Sequence, residues 1–267
     1  MYGAILGDII GEPYEFGRGI KTKEFPLFCK NPTFTDDSVM TIAVCDGILK
    51  AGIDADENTM KTAIITAMQL WGHRYPNAGY GGRFYMWLAS ESTKPYGSYG
   101  NGSAMRVSSA GWLFETLERT REVARWSAEV THNHPEGIKG AESIAAVIFL
   151  ARTGKSKAEI KEYVENEFGY DLSRTCDQIR PGYFHQESCQ HTCPEAITAF
   201  LEGRDFEDVI RTAVSLGGDC DTLTDIAAAM AEAFYGLAPD FKEKCLELTT
   251  KDMHKVLFEF DKKKIAK

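Results

Sequence analysis

The run from Ile138 to Ala151 is almost wholly apolar. A helix of that composition is buried all round and forms the centre of a helical domain. A second core helix is marked by Leu223, Ile226, Ala227, Met230, Ala231 and Phe234, which recur at helical spacing toward Tyr235 and stop at Gly236. No run of alternating strand residues stands against these two, so the fold class is all-α. The remaining periodicity predicts helices up to about Gly11, from Val39 to Leu49, over about 57–71, from Phe84 to Ala89, and over about 103–117, 120–130, 156–168, 194–202 and 205–216, with two amphipathic helices at the end. Between them the sequence predicts a polar loop over 16–34 and an irregular region over 169–193. At 267 residues, 43% of them hydrophobic, one compact domain over 1–267 is expected.

Several function classes drop out early. No apolar run approaches the ~20 residues of a membrane span, and the stretch from Tyr2 to Ile10 contains Asp8 and lacks a basic leader, unlike a signal peptide. A net charge of −9 with no basic stripe before the last residues argues against general nucleic-acid binding. Seven cysteines without paired spacing suggest reduced thiols and a cytoplasmic protein.

Two short stretches carry the chemistry. In Ser215–Thr222 two glycines precede Asp219, Cys220, Asp221 and Thr222, immediately before the core helix. A rigid turn bearing two carboxylates and a hydroxyl suits a hard cation; helix capping is the other reading, although a cap needs only one acid. Thr35, Asp36 and Asp37 repeat the pattern at the head of the Val39–Leu49 helix, with the two acids about 100° apart on it. Four carboxylates facing one another cannot all remain ionised without a cation. Two magnesium ions held by carboxylates, hydroxyls and water resolve that conflict.

Further candidates lie in loops. Glu15 follows Pro13, which ends the first helix, and so stands in a non-helical turn. Gly79, Tyr80 and Gly81 belong to one glycine-rich turn; Ser98, Tyr99, Gly100, Asn101 and Gly102 form another whose backbone N–H groups suit a phosphate. His132 is within reach of such a phosphate, whereas His134, before Pro135, reads as structural. His185, Cys189, His191 and Cys193 invite a zinc reading, but the cluster lacks a second half and reads as packing residues.

Taken in order, Gly7–Glu15, Phe34–Ser38, Gly79–Gly82, Ser98–Arg106, Thr131–Ala141 and Ser215–Thr222 resemble the motifs of the ADP-ribosylglycohydrolases across nearly the whole chain. The resemblance implies an all-α bundle with a two-magnesium centre, manganese being able to substitute. It implies Thr35, Asp36 and Asp37 as ligands on one side and Asp219, Asp221 and Thr222 on the other. By the same resemblance Glu15 matches the family's loop glutamate, which is essential in the serine-specific mammalian members and sits beside the metals; Glu15 or a metal-bound aspartate, Asp36 or Asp221, would take the proton of the attacking water. Residues 98–102 would hold a diphosphate with His132 beside it, and Gly79, Tyr80 and Gly81 would help bind substrate. Cys220 stands where the family has threonine, and Asp225 and Glu232 where many members have small residues. No aspartate occurs from Asn77 to Gly81, the region where the arginine-specific bacterial enzyme carries one.

The implied activity is hydrolysis at C1″ of ADP-ribose, with oxocarbenium character developing in the sugar. The implied partner is ADP-ribose or an ADP-ribosylated substrate, handled by a monomer or weak homo-oligomer. Two other readings are a non-catalytic ADP-ribose-binding or crystallin-like protein and a helical isoprenoid synthase. The synthase reading lacks the third acid of its aspartate motif after Asp37.

Overall fold

The computed structural model describes residues 1–15, 18–90 and 93–265, so the first two positions of the expected 16–34 loop lie outside the described residues. The helices run in the order α1 (Tyr2–Gly11), α2 (Asp36–Ala51), α3 (Glu57–Arg74), α4 (Gly82–Ala89), α5 (Gly102–Met105), α6 (Ser108–Leu113), α7 (Leu117–Glu129) and α8 (Pro135–Arg152). They continue as α9 (Lys157–Phe168), α10 (Cys176–Ile179), α11 (Cys189–Glu202), α12 (Phe206–Leu216), α13 (Cys220–Tyr235), α14 (Pro239–Leu248) and α15 (Lys251–Lys263). The only β pairing among the described residues is an isolated antiparallel bridge between Gly100 and Ser188. Thr35, Asp56, Thr116, Ser156, Asp205 and Thr250 each accept a backbone N–H in the first turn of the helix they precede, satisfying donors the helix leaves unpaired.

The buried apolar residues form one cluster that runs from Met1 to Phe260, with α8 and α13 inside it. Among the described residues no helix is long and apolar enough to cross a membrane.

A close helix contact sets up the site. Gly3, Gly7 and Gly11 recur every four residues along α1, on the face against α13. A Cβ on Gly7 would stand 2.4 Å from the Thr224 carbonyl oxygen, and one on Gly11 would stand 2.5 Å from that of Cys220. Backbone therefore meets backbone, and Asp8 is carried against the start of α13. Gly7→Ala is expected to cost about 1–3 kcal/mol, the range for overpacking where rigid backbone cannot yield. A lowered urea midpoint checks this, and an unchanged one would mean that α1 is not held so closely.

Two expected boundaries need correction. The helix expected over about 103–117 is divided into α5 and α6, with extended, buried Phe114 beyond them. Arg106 causes the division: the chain turns to bury its guanidinium, whose Nη2 donates to Ser127 O and Thr131 Oγ1. The helix expected from about 194 begins at Cys189, and Pro194 stands inside it. Its start is set by the Gly100–Ser188 bridge and by Cys189 N donating to Tyr99 O, contacts distant in sequence. The region 169–193 accordingly contains α10 and the first turn of α11.

Candidate metal centre and cleft

Gly217 and Gly218 both adopt left-handed φ, at 71° and 82°, which only glycine takes without strain. Their turn places Asp219 at the N-cap of α13 and Asp221 in its first turn. Asp219 makes no side-chain cap; its Oδ2 accepts from Asn101 Nδ2 at 2.7 Å instead. The capping duty at α2 falls to Thr35, whose Oγ1 accepts from Asp37 N. Capping thus explains neither acidic pair.

The two turns meet. Thr222 Oγ1 donates to Asp37 Oδ1 at 3.3 Å across 185 positions of sequence. One carboxylate oxygen each of Asp8, Asp37 and Asp221 lie within 4.8 Å of one another. Asp8 organises the α2 side: it accepts from Thr35 N at 2.9 Å, Thr35 Oγ1 at 2.8 Å, Ser38 N at 3.1 Å and Ser38 Oγ.

This crowding makes the acids hard to ionise. Burial, then the charge of Asp221, pushes Glu15 and Asp36 each up to about 8. Burial raises Asp219 to about 6, and raises Asp8 to about 6 against its hydrogen bonds. Asp37 and Asp221 are pushed well above the carboxylate range by burial and then by neighbouring carboxylates. A group raised in the fold stabilises it fully below its unfolded pKa, near 4, and ceases to do so as pH rises through its folded value. Chelator-treated protein should therefore lose stability from about pH 4 to 8, by at most about 1.4 kcal/mol per pH unit for each proton. Calorimetric scans with chelator should show Tm falling by several degrees between about pH 5.5 and 8; a rising Tm would contradict the crowding.

The residues fit hard divalent cations. The donors are carboxylates and threonine hydroxyls, and Asp37 Oδ2 is buried without a hydrogen-bond partner.

Above these acids is a cavity of about 410 Å³. Its lining includes Glu15, Thr35, Asp36, Asp37, Asp219, Asp221 and Thr222; Gly79 and Gly81; and Ser98, Gly100, Asn101, Gly102 and His132. Tyr80 and Tyr99 do not line it: the Tyr80 ring lies 5.4 Å from Phe84, and exposed Tyr99 lies 5.3 Å from His134.

Buried His132 is held well below its ordinary pKa by burial and then by Arg106 and Arg83, so it is neutral at pH 7. Thr131 Oγ1 accepts from Arg106 and lies 2.8 Å from His132 Nδ1, so the hydroxyl proton is available to that nitrogen. His132 Nε2 is on the side of Gly100 and Gly102.

Sequence reasoning did not assign Asp8 or His185 to the site and left Asp225 undecided. Asp8 is 0% exposed at the α1–α13 contact, and its signal was the Gly7-Asp8 pair within a glycine-spaced helix. Asp225 is also 0% exposed, not facing solvent, and neither of its carboxylate oxygens has a hydrogen-bond partner. His185, read as a packing residue, offers a ring nitrogen within 4.8 Å of carboxylate oxygens of Glu15 and Asp219. The buried Cys189 and Cys193 lie instead against Gly140, whose added Cβ would be 2.4 Å from Cys189 Sγ and 3.3 Å from Cys193 Sγ.

An all-α chain with carboxylates from both ends gathered beneath a glycine-lined cavity defines a class of helical protein built around a candidate cation centre. The profile of the ADP-ribosylglycohydrolase family matches residues 1–261, and the chain belongs to that family. It is 26% identical over 311 residues to mouse (Mus musculus) ADP-ribosylhydrolase ARH3, covering 89% of this chain and 83% of that protein. It is 24% identical over 279 residues to ADP-ribosylarginine hydrolase Tri1 of Pseudomonas putida (strain GB-1), covering 91% of this chain and 72% of that one. A solved structure described as an ADP-ribosylglycohydrolase-related protein complex superposes with a TM-score of 0.68 at 22% identity, over 97% of this chain and 94% of that one, and shows the same fold.

Proposed function

We propose that this protein is a single-domain, magnesium-dependent hydrolase that cleaves the C1″ bond between ADP-ribose and an acceptor. The observation that carries this reading is the meeting of Asp37 with Thr222 and Asp221 on one cavity wall, beside Glu15 and the 98–102 loop. Its relatives over most of the chain are ADP-ribosylhydrolases, which supports ADP-ribose as the glycosyl group.

Thr35, Asp36, Asp37, Asp219, Asp221 and Thr222 would hold two magnesium ions, for which manganese can substitute. Bound there, the cations supply Lewis acidity toward the ribose hydroxyls and the attacking water. Glu15, buried beside the acids with a raised pKa, moves the proton at the water or the departing acceptor. Asn101 holds Asp219 in place from the loop that would carry the diphosphate. His132 donates from Nε2 toward that diphosphate, and buried Arg106 behind it provides positive charge.

His132→Ala should weaken ADP-ribose binding roughly 10- to 100-fold, the worth of a hydrogen bond to a charged group. Titration calorimetry checks this, and unchanged affinity would place the diphosphate elsewhere. The activity itself is tested with a panel of arginine-, serine-, acetyl ester- and nucleic-acid-end-linked ADP-ribose. Release of ADP-ribose from at least one substrate, stopped by chelator and restored by magnesium, is expected. ADP-ribose binding without turnover of any of them would favour a binding protein instead.

A further inference from the structure

We propose that the Arg83 guanidinium binds the diphosphate of the substrate, making α4 a second holder of that group beside the Ser98–Gly102 loop. This rests on the ADP-ribose reading above and names the side chain that meets the diphosphate with a positive charge.

The cavity lining carries charge of both signs. Glu15, Asp36, Asp37, Asp219 and Asp221 supply carboxylates, and Arg83 and Arg106 supply guanidinium groups. A diphosphate ester is a dianion, so a cleft this acidic needs cationic partners placed for it. Arg106 is only 1% exposed, and its Nη2 is committed to Ser127 O and Thr131 Oγ1. It supplies charge from behind the wall without touching a ligand. Arg83 is the exposed guanidinium of the two. Burial, then Arg106 and then Arg83 hold the His132 imidazole below its ordinary pKa, so the charge of Arg83 reaches the part of the cleft beside the loop.

The side chain is held in place before any ligand arrives. Arg83 Cζ lies 4.9 Å from the centre of the Tyr96 ring, and Nη2 donates to Tyr96 O. Tyr96 is itself fixed to the segment that carries His132. Tyr96 N and Ser98 N both donate to Thr131 O, at 3.3 and 3.4 Å, and Gly97 N donates to Asn133 Oδ1 at 2.8 Å. The Tyr96 and His132 ring centres are 6.0 Å apart. A carbonyl engages one edge of the planar guanidinium fork, whose other N–H groups match the oxygens of a phosphate. A stacked guanidinium also loses little rotamer freedom when it binds. The approach is open, since a Cβ added to Gly81 or Gly82 at the start of α4 would meet nothing within 4 Å.

The test uses the full chain with magnesium. ADP-ribose and adenosine are titrated calorimetrically into wild type, Arg83→Ala and Arg83→Lys at low and raised sodium chloride, alongside steady-state kinetics on the substrate that the panel identifies. Arg83→Ala should weaken ADP-ribose about 5- to 50-fold, the effect of a charge-assisted hydrogen bond, and change adenosine less than about threefold. KM should rise while kcat changes less than about threefold, because the lost contact holds ground state and transition state alike. Added salt should weaken ADP-ribose binding more steeply in wild type than in Arg83→Ala. Arg83→Lys should keep the steep salt dependence with intermediate affinity, since it keeps the charge without the fork. Equal ADP-ribose affinity in wild type and Arg83→Ala, or a matching loss for adenosine, would overturn this inference and leave the proposed activity standing. Wild type that binds no ADP-ribose would instead overturn the proposed function itself.

Discussion

Asp221→Asn should abolish turnover and, at the same time, stabilise the cation-free protein. After burial, the charge of Asp221 does most to raise Glu15, Asp36 and Asp37, and Asp221 is itself raised by burial and then by Asp219 and Asp8. At neutral pH the cation-free fold must hold that charge among its neighbours or take up a proton to neutralise it, a cost that asparagine does not carry, so Tm in chelator should rise by a few degrees, about the effect of 1 kcal/mol or more in a chain of this size. The carboxylate is also a proposed ligand on the α13 side, and its loss should lower kcat/KM by at least ~10³-fold, on the order of 4 kcal/mol of transition-state stabilisation. The two effects have opposite signs, which separates this account from simple misfolding. A variant that is inactive and less stable would point to a structural role; an active variant would remove Asp221 from the centre.

Glu15→Gln is the second large effect, and it should fall on kcat. Glutamine keeps an oxygen in the same place but carries no proton that it can exchange at neutral pH. Loss of a positioned acid or base costs about 10²–10⁴-fold. Cation affinity should change less than ~10-fold, because the amide oxygen remains and the aspartates are untouched. Steady-state kinetics paired with titration of the cation distinguishes the two quantities. Full activity would exclude Glu15 from proton transfer, and complete loss of cation binding would make it chiefly a ligand.

What could be read from residues alone was whatever repeats or is local. Helix α8 was legible from an almost wholly apolar run and α13 from apolar positions that recur at helical spacing, and both are buried accordingly. The acidic turns were legible because each pairs two carboxylates with a threonine at a helix start, and one pattern reinforces the other. The division between α5 and α6 was not, since it depends on Arg106 finding Ser127 and Thr131. Nor was the start of α11, which is set by backbone bonds to the 99–101 loop. Asp8 showed only one charge in an apolar run; its importance comes from α1 approaching α13 until carbonyl oxygens fill the space above its glycines. His185 carried no positional signal, because its place beside Glu15 follows from a loop path that Lys21 and Asn101 hold.

The central claim is that carboxylates from the two ends of the chain share divalent cations. Its most direct test is calorimetric titration of magnesium into metal-stripped protein at about pH 7.5, repeated in buffers of different ionisation enthalpy to count protons. Asp36, a proposed ligand raised to about 8, must release its proton when a cation binds it. The account predicts saturable binding with net proton release, weakened by Asp36→Asn and by Asp221→Asn alike. Binding without proton release and indifferent to both substitutions, or no binding at millimolar magnesium, would contradict it.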